Sequence, residues 1–253
     1  MRFISPILLA IAAVSAVPAH ARTVVTQTVV EEWVEVDTPD NGAGRFVASE
    51  PAAIPAGIAS FGPFRVLDGR RAALVDATDA ASPRAFSAML RAYPQIAELE
   101  MVECPGTDDD VANLKLGRMI RAAGLVTHVP AGGSVRSGAV ELFLAGKQRK
   151  IDDGAEFAVH SWVDSDGRQP GDFAANAQVN ETYIDYYEAM GMSAHQARSF
   201  YDMTNSVPNA DARWLTAQDM RGWISAGSGS ESRVVAKPAE PKIAYLDLGQ
   251  RIP

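Results

Sequence analysis

Residues 72–129 read AALVDATDAASPRAFSAMLRAYPQIAELEMVECPGTDDDVANLKLGRMIRAAGLVTHV. Three short apolar runs in this stretch, 72–77, 98–103 and 125–129, predict strands. Between the first two, Ser82 and Pro83 supply an N-cap and a first-turn proline for a helix running through Tyr93, which Pro94 halts. After the turn at Cys104-Pro105-Gly106, the carboxylates of Asp108 to Asp110 sit where they complement the positive end of a second helix. Ala112, Leu116, Met119, Ile120 and Ala123 give that helix one buried stripe, and Gly124 ends it. Strand–helix–strand units of this length require parallel strands joined by right-handed crossovers, so the fold class is α/β with a mostly parallel sheet.

The pattern continues downstream. Residues 137–145 are nearly apolar all round and predict a buried helix; 156–160 predict a strand, 172–190 a long helix, and 193–202 and 216–223 two shorter ones, the last capped by Thr216. From about residue 226 the chain becomes SGSESRVVAKPAEPK, the composition of a disordered tail. Upstream, the domain is expected to start near Pro63 and run to 225. Residues 22–62 form an N-terminal arm and linker, in which 24–36 (VVTQTVVEEWVEV) predict a strand or hairpin arm and the Pro- and Gly-rich 38–62 a linker. Residues 1–21 (MRFISPILLAIAAVSAVPAHA) carry one basic residue, an apolar run interrupted by Pro6, Ser15 and Pro18, and small residues around His20. This is a signal-peptide pattern, too broken for a membrane span, and it predicts cleavage after Ala21 and an exported, periplasmic or secreted protein.

Composition narrows the function classes. The 253 residues are 47% apolar and 21% charged, within the globular range, which excludes disorder of the whole chain. A formal charge of -8 repels phosphate backbones and gives no electrostatic reason to expect nucleic acid or anionic membranes as partners. The single cysteine, Cys104, has no internal disulfide partner and stands beside Glu103, whose charge opposes a thiolate; a small turn residue is the expected role.

The chemistry-bearing residues fall in three segments: 103–107 (ECPGT), 132–138 (GGSVRSG) and 157–160 (FAVH). Ser137 stands at a helix N-terminus, where free backbone N–H groups and the helix dipole can stabilise an oxyanion. His160 ends a strand and can accept the serine proton, and a carboxylate further on can hold the imidazole tautomer. Ser134 is a competing hydroxyl in a glycine-rich turn, where shaping the loop is the expected role. His128 and His195 have no motif around them. Asp164-Ser-Asp-Gly167 lacks the later ligands of a calcium loop and reads as a solvated turn, no metal site has a ligand set, and no cofactor is required. Trp162, Tyr183, Tyr186 and Tyr187 are expected in the core or at a subunit contact.

On these residues, 72–223 resembles the Clp protease proteolytic subunit and its ClpP/crotonase relatives, especially exported ClpP-like proteins. The segment 137–146 (SGAVELFLAG) resembles that family's nucleophile helix, Val159-His160 its histidine strand, Cys104-Pro105-Gly106 its Ser-Pro-Gly-Gly loop, and Arg213-Trp214-Leu215-Thr216 its late strand and helix start. The resemblance implies a ββα superhelix and a serine peptidase-like hydrolase with Ser137 as nucleophile and His160 as base. Asp211 is the implied orienting acid, with Asp202 as its rival, and the amides of Gly106, Thr107 and Gly138 form the implied oxyanion hole. It implies rings or trimers, so a homo-oligomer. The implied substrates are peptides or already unfolded protein segments, with no ATP-driven partner expected outside the cytoplasm. Two departures stand out: Thr107 replaces the loop's second glycine, and Glu141 interrupts the apolar helix, where it must find a partner, line a pore or meet a neighbouring subunit. A non-catalytic scaffold or binding protein is the alternative function. An acyl-CoA enzyme of the crotonase branch is a third, which a signal peptide opposes.

Overall fold

The computed structural model describes residues 50–225. The expected signal peptide at 1–21, the expected strand arm at 24–36 and the expected tail at 226–253 lie outside the described residues. The described chain opens with β1 (Ala59–Phe61) and β2 (Phe64–Val66), an antiparallel pair in which Phe61 faces Phe64. Gly62, at φ 56°, takes the positive backbone angle that a two-residue hairpin turn demands. The last residues of the expected linker are therefore a strand of the sheet.

From β3 (Arg71–Leu74) the chain winds repeatedly. After α1 (Ser82–Ala92), β4 (Glu98–Met101) joins one sheet, β5 (Glu103–Cys104) a second, and α2 (Asp110–Ala122) returns. The next turn is β6 (Val126–Val129), β7 (Ser134–Arg136) and α3 (Ala139–Leu144); the next is β8 (Gln148–Ile151) and β9 (Glu156–Val159). The larger sheet has the order β1-β2-β3-β4-β6-β8 and is parallel from β3 onward. In the smaller sheet β5, β7 and β9 are parallel, and the late strand β10 (Arg213–Thr216) closes its edge antiparallel to β9. One strand in each sheet and then a helix, repeated, is the ββα superhelix that the sequence implied. The remaining helices are α4 (Gln178–Ala189), α5 (Ala194–Thr204) and α6 (Ala217–Ser225). No helix among the described residues is long and apolar enough to cross a membrane.

The expected buried helix is α3, all six of whose residues are buried between the sheets. Phe143 packs on Phe157 of β9 with ring centroids 5.1 Å apart, and each such aromatic or leucine side chain stabilises the fold by about 1.5–3 kcal/mol. The helix ends at Ala145-Gly146 because of a close approach: a Cβ on Gly146 would lie 2.1 Å from Thr127 Oγ1 and 2.7 Å from the Gln148 carbonyl oxygen. Thr127 Oγ1 in turn donates to the Phe143 carbonyl at 2.7 Å, tying β6 to α3.

Several local expectations need correction. The run 98–103 is two strands in different sheets. Ser82 begins α1 rather than capping it; Asp79 Oδ1 accepts from Ser82 N and Ser82 Oγ at 2.9 and 2.8 Å and so does the capping. The single helix expected over 172–190 is a 3₁₀ turn at Pro170–Asp172 followed, after a turn closed by Ala177 N donating to the Ala174 carbonyl, by α4. Phe173 is extended there, and its ring packs on Trp162 at 5.5 Å with the Arg168 guanidinium 4.9 Å from its centroid. Thr216 does cap α6, through a reciprocal pair in which Thr216 Oγ1 accepts from Asp219 N and Asp219 Oδ2 from Thr216 N.

Candidate active site

A cavity of about 270 Å³ opens where β5, β7 and β9 end, and Ser137, Gly138, Gly106, Thr107 and His160 all line it. Ser137 falls between β7 and α3. Its φ of 48° is left-handed, and it is the only non-glycine residue in that region among the described residues. Such a conformation costs of order 1–3 kcal/mol and persists only where surroundings impose it. They do so here: Ser137 N donates to the Ala158 carbonyl of β9 at 2.9 Å, and Val140 N donates back to the Ser137 carbonyl at 2.9 Å.

The facing loop is clamped by Thr78. Its N–H donates to the Gly106 carbonyl at 3.0 Å and its carbonyl accepts from Asp108 N at 2.8 Å. Gly106 takes φ 138°, and a Cβ there would lie 3.0 Å from Ser137 Cβ and 3.4 Å from its hydroxyl, so this glycine is what lets the loop approach the serine. Thr107 keeps an ordinary backbone angle; the positive φ falls on Gly106 alone, and the substitution of the loop's second glycine leaves the backbone unstrained. Thr107 Oγ1 is held between Thr78 O, Asp109 O and Asp109 N. Asn113 Nδ2 donates to the Gly138 carbonyl at 2.6 Å while its Oδ1 accepts from Thr78 Oγ1, fixing the first peptide of α3 against the loop. With these bonds made, the N–H groups of Gly106, Thr107 and Gly138 have no acceptor among the described residues. Uncommitted N–H donors on residues that share a cavity with a serine hydroxyl are able to hold an oxyanion.

The imidazole is held differently. His160 Nδ1 lies 2.9 Å from the Ser161 carbonyl oxygen and 3.0 Å from Asn209 Nδ2, and Asn209 Nδ2 donates to the same carbonyl at 2.9 Å. With the proton on Nδ1, the ring donates to Ser161 O beside the Asn209 amide and the Nε2 lone pair is available as a base; with the proton on Nε2, Nδ1 accepts from the Asn209 amide instead. No hydrogen bond joins Ser137 Oγ to His160 among the described residues; the two share the cavity, as in the looser arrangements of unliganded sites.

Asp211 stands apart. It is exposed, its backbone N–H donates to the Pro208 carbonyl at 3.0 Å, and no hydrogen bond or ion pair links it to His160 among the described residues. Asp202 is exposed on α5. The groups beside Nδ1 are Asn209, two residues before Asp211, and the Ser161 backbone. Nothing in the sequence marks Asn209, since an amide is not the acid that a triad calls for; the closeness of 205–211 to the late strand is the available signal.

Glu141 lies in the first turn of α3, is 7% exposed and lines the same cavity. Its partner is Tyr187, whose hydroxyl donates to Oε1 at 2.7 Å, while the Tyr186 hydroxyl donates to its backbone carbonyl at 2.7 Å. Gly117 makes room for that second contact, since a Cβ there would overlap the Tyr186 hydroxyl. Burial outweighs the Tyr187 hydrogen bond and pushes the Glu141 carboxyl up to about 7. Asp110 keeps an exposed edge, yet surrounding protein raises its pKa too, against the favourable influences of the Tyr183 hydroxyl and of His160. Tyr183 stacks on Trp162 at 6.3 Å, and both wall the cavity, so of the four aromatics expected in the core or at a subunit contact, two face the site, Tyr187 lines it from a buried position and Tyr186 is core.

The other candidates behave as structural residues. Cys104 is buried, donates from Sγ to the Leu74 carbonyl at 3.4 Å, and burial raises its pKa well above the usual thiol value. Ser134 is buried and accepts from Arg136 Nη1 at 2.6 Å. Asp164 closes its turn by accepting from Asp166 N and Arg168 N. His195 is exposed on α5. His128 lies with Glu98 and Glu100 within metal-ligating reach, but each is engaged: Glu98 by Lys150 and His128, Glu100 by Arg71, and His128 also by Asp152.

No protein-family model matches the sequence, and no curated protein matches it. Among solved structures, the chain is similar to a 1510-N membrane-bound stomatin-specific protease in complex with a substrate peptide, at 14% identity over 60% of this chain and 69% of that one, with a TM-score of 0.43. It is also similar to the 1510-N membrane protease specific for a stomatin homolog from Pyrococcus horikoshii, at 12% identity over 61% and 68%, TM-score 0.40. A third is the ClpP protease catalytic domain from Plasmodium falciparum, at 12% identity over 60% and 79%, TM-score 0.43.

Proposed function

We propose that this protein is an exported serine hydrolase of peptidase type. The observation that carries the reading is Ser137, held at a left-handed backbone angle in a cavity with three uncommitted amide donors and an imidazole. Ser137 Oγ attacks the carbonyl carbon of a peptide as its proton passes to His160 Nε2. The carbonyl π bond opens to an oxyanion held by the amides of Gly106, Thr107 and Gly138. His160 then gives that proton to the leaving amine as the C–N bond breaks, leaving a serine ester. Water adds by the same route in reverse, releasing the acid and restoring Ser137. The Ser161 carbonyl, itself positioned by the Asn209 amide, accepts from Nδ1 and keeps it protonated in the resting site, the role sought for Asp211.

A fluorophosphonate probe tests this directly: the wild type becomes labelled, and Ser137→Ala and His160→Ala lose the label. A folded wild-type protein that stays unlabelled overturns the reading. Export is part of the same proposal. The protein recovered from the extracytoplasmic fraction of its cells begins at Arg22; an N-terminus still at Met1 removes it. Assembly into homo-oligomers is checked by light scattering of the purified chain.

The second reading, a non-catalytic scaffold or binding protein, is favoured by one observation: no carboxylate and no serine hydroxyl is hydrogen-bonded to His160 among the described residues. Under that reading the probe leaves the wild type unlabelled while a peptide ligand still binds.

A further inference from the structure

We propose that the cavity beside Ser137 is a subsite for a cationic side chain, so that the substrates are peptides carrying arginine or lysine there, with Glu141 as the residue that selects them. The inference deepens the hydrolase reading and rests on it for the word substrate; the preference of the cavity for a cation does not. Three carboxylate residues line the cavity, Asp108, Asp110 and Glu141, and no lysine or arginine is among the described residues that do. Of the three, Glu141 is the buried one, and it stands in the first turn of α3, four residues past Ser137. A side chain leaving a carbonyl group held at Ser137 enters the cavity that Glu141 lines, and arginine and lysine are the residues that bring a positive charge to it.

The hydrogen-bond partners of Glu141 are neutral: Tyr187 donates to Oε1, the residue's own backbone N–H is turned to the carboxylate, and no lysine or arginine pairs with it among the described residues. A cation supplies a charged partner. An apolar side chain in the same place would seal the carboxylate from water without one, and an unpaired buried charge is far more costly than a paired one. The walls fit the same ligand: Trp162 and Tyr183, stacked with ring planes within 6° of parallel, both line the cavity, and a guanidinium gains from lying over an aromatic face. The titratable groups facing Glu141 are Tyr186 and Tyr187 from α4 and Asp110 from α2, with Tyr183 and His160 on the cavity wall. Asp110 and Tyr187 affect its proton oppositely, the first raising its pKa and the second lowering it. A cation needs the ionised form, so binding weakens as the pH falls through about 7.

Benzamidine, a planar cation, is titrated into the full chain by calorimetry, with wild type and Glu141→Gln compared. The expected result is saturable binding by the wild type, weakened tenfold or more in Glu141→Gln and at low pH. No binding by the wild type, or equal binding by the two folded proteins, overturns the proposal whether or not the protein hydrolyses anything. In parallel, fluorogenic peptides differing only in arginine or its neutral isostere citrulline before the scissile bond are compared by kcat/KM. The wild type favours arginine at least tenfold and Glu141→Gln abolishes the ratio; cleavage indifferent to the pair overturns the specificity while leaving the hydrolase intact. Failure of fluorophosphonate labelling with benzamidine binding preserved overturns the hydrolase and leaves the cation subsite.

Discussion

The two halves of the site are built from different materials. Ser137 sits at the junction of β7 and α3, and every backbone group that sets its position is tied to regular structure: Ala158 in β9, Val140 in α3, and Asn113 in α2 bonded to the next peptide. His160 stands one residue past β9, and its surroundings are irregular chain. Ser161 N and Oγ both donate to the Val207 carbonyl, at 3.0 and 2.8 Å, and Asn209 N donates to Gln169 Oε1 at 2.9 Å. The proposed nucleophile is fixed by regular structure, whereas the proposed base is fixed by a loop. Rearrangement on substrate binding is therefore expected on the His160 side, which is where a serine–histidine hydrogen bond still has to form.

The largest expected effect breaks the rigid half. In Gly138→Ala the new Cβ would lie 2.5 Å from Thr107 Cγ2, and Thr107 cannot turn away without giving up its bonds to Thr78 O and Asp109 N. The loop and α3 must separate, and loss of an aligned oxyanion donor lowers kcat about 10²–10³-fold. Adding Thr107→Ser, which removes the clashing methyl and keeps the hydroxyl, restores most of the loss; a double variant no better than Gly138→Ala shows that the contact does not set the amide.

A smaller effect concerns the acid buried in that half. Glu141 holds its proton up to about 7 in the folded chain against 4.5 ordinarily, so the folded state binds the proton more tightly than the unfolded one. The stability this gives is fully present below 4.5 and is lost as the pH rises through about 7. Glu141→Gln has no such loss. In denaturant melts it gains on the wild type by up to about 3 kcal/mol above neutrality, and the advantage vanishes in acid. A constant difference at all pH values shows a packing effect instead.

Legibility in the sequence followed the same division. The alternation of strands and helices through residue 129, the buried α3 and the His160 strand are written in local apolar pattern, and local pattern sufficed for them. β7 and β8 were not visible. Ser134–Arg136 is three residues long, and Gln148–Ile151 carries charges at an outer edge of its sheet, so neither shows the alternation of a half-buried strand. The helix expected from residue 172 begins only at Gln178, and Phe173 instead packs its ring on Trp162, a tertiary preference that sequence spacing does not encode. Asn209 is the hardest case. Its meaning depends on meeting Ser161, 48 positions earlier, and on a backbone carbonyl that every residue possesses.

The smallest effect tests whether that asparagine is what the loop is for. Asn209→Ala removes one hydrogen bond to Ser161 O, worth about 1 kcal/mol, while Ser161 itself still holds the Nδ1 proton, so kcat/KM falls about fivefold and not by the orders of magnitude that loss of a sole orienting group brings. A structural loop residue would give the same fall, so the decisive variant is Asn209→Asp. A carboxylate beside Nδ1 stabilises the imidazolium, which moves the acid limb of the pH–rate profile to higher pH. Asp211→Asn, at an exposed position without contact to the ring, leaves rate and profile within about twofold, the scale of an ordinary surface substitution. The opposite pattern, with Asp211→Asn costly and Asn209→Ala silent, means that the 205–211 loop refolds around bound substrate and presents its aspartate to His160. The base side would then be assembled only by the ligand, against a nucleophile side complete without it.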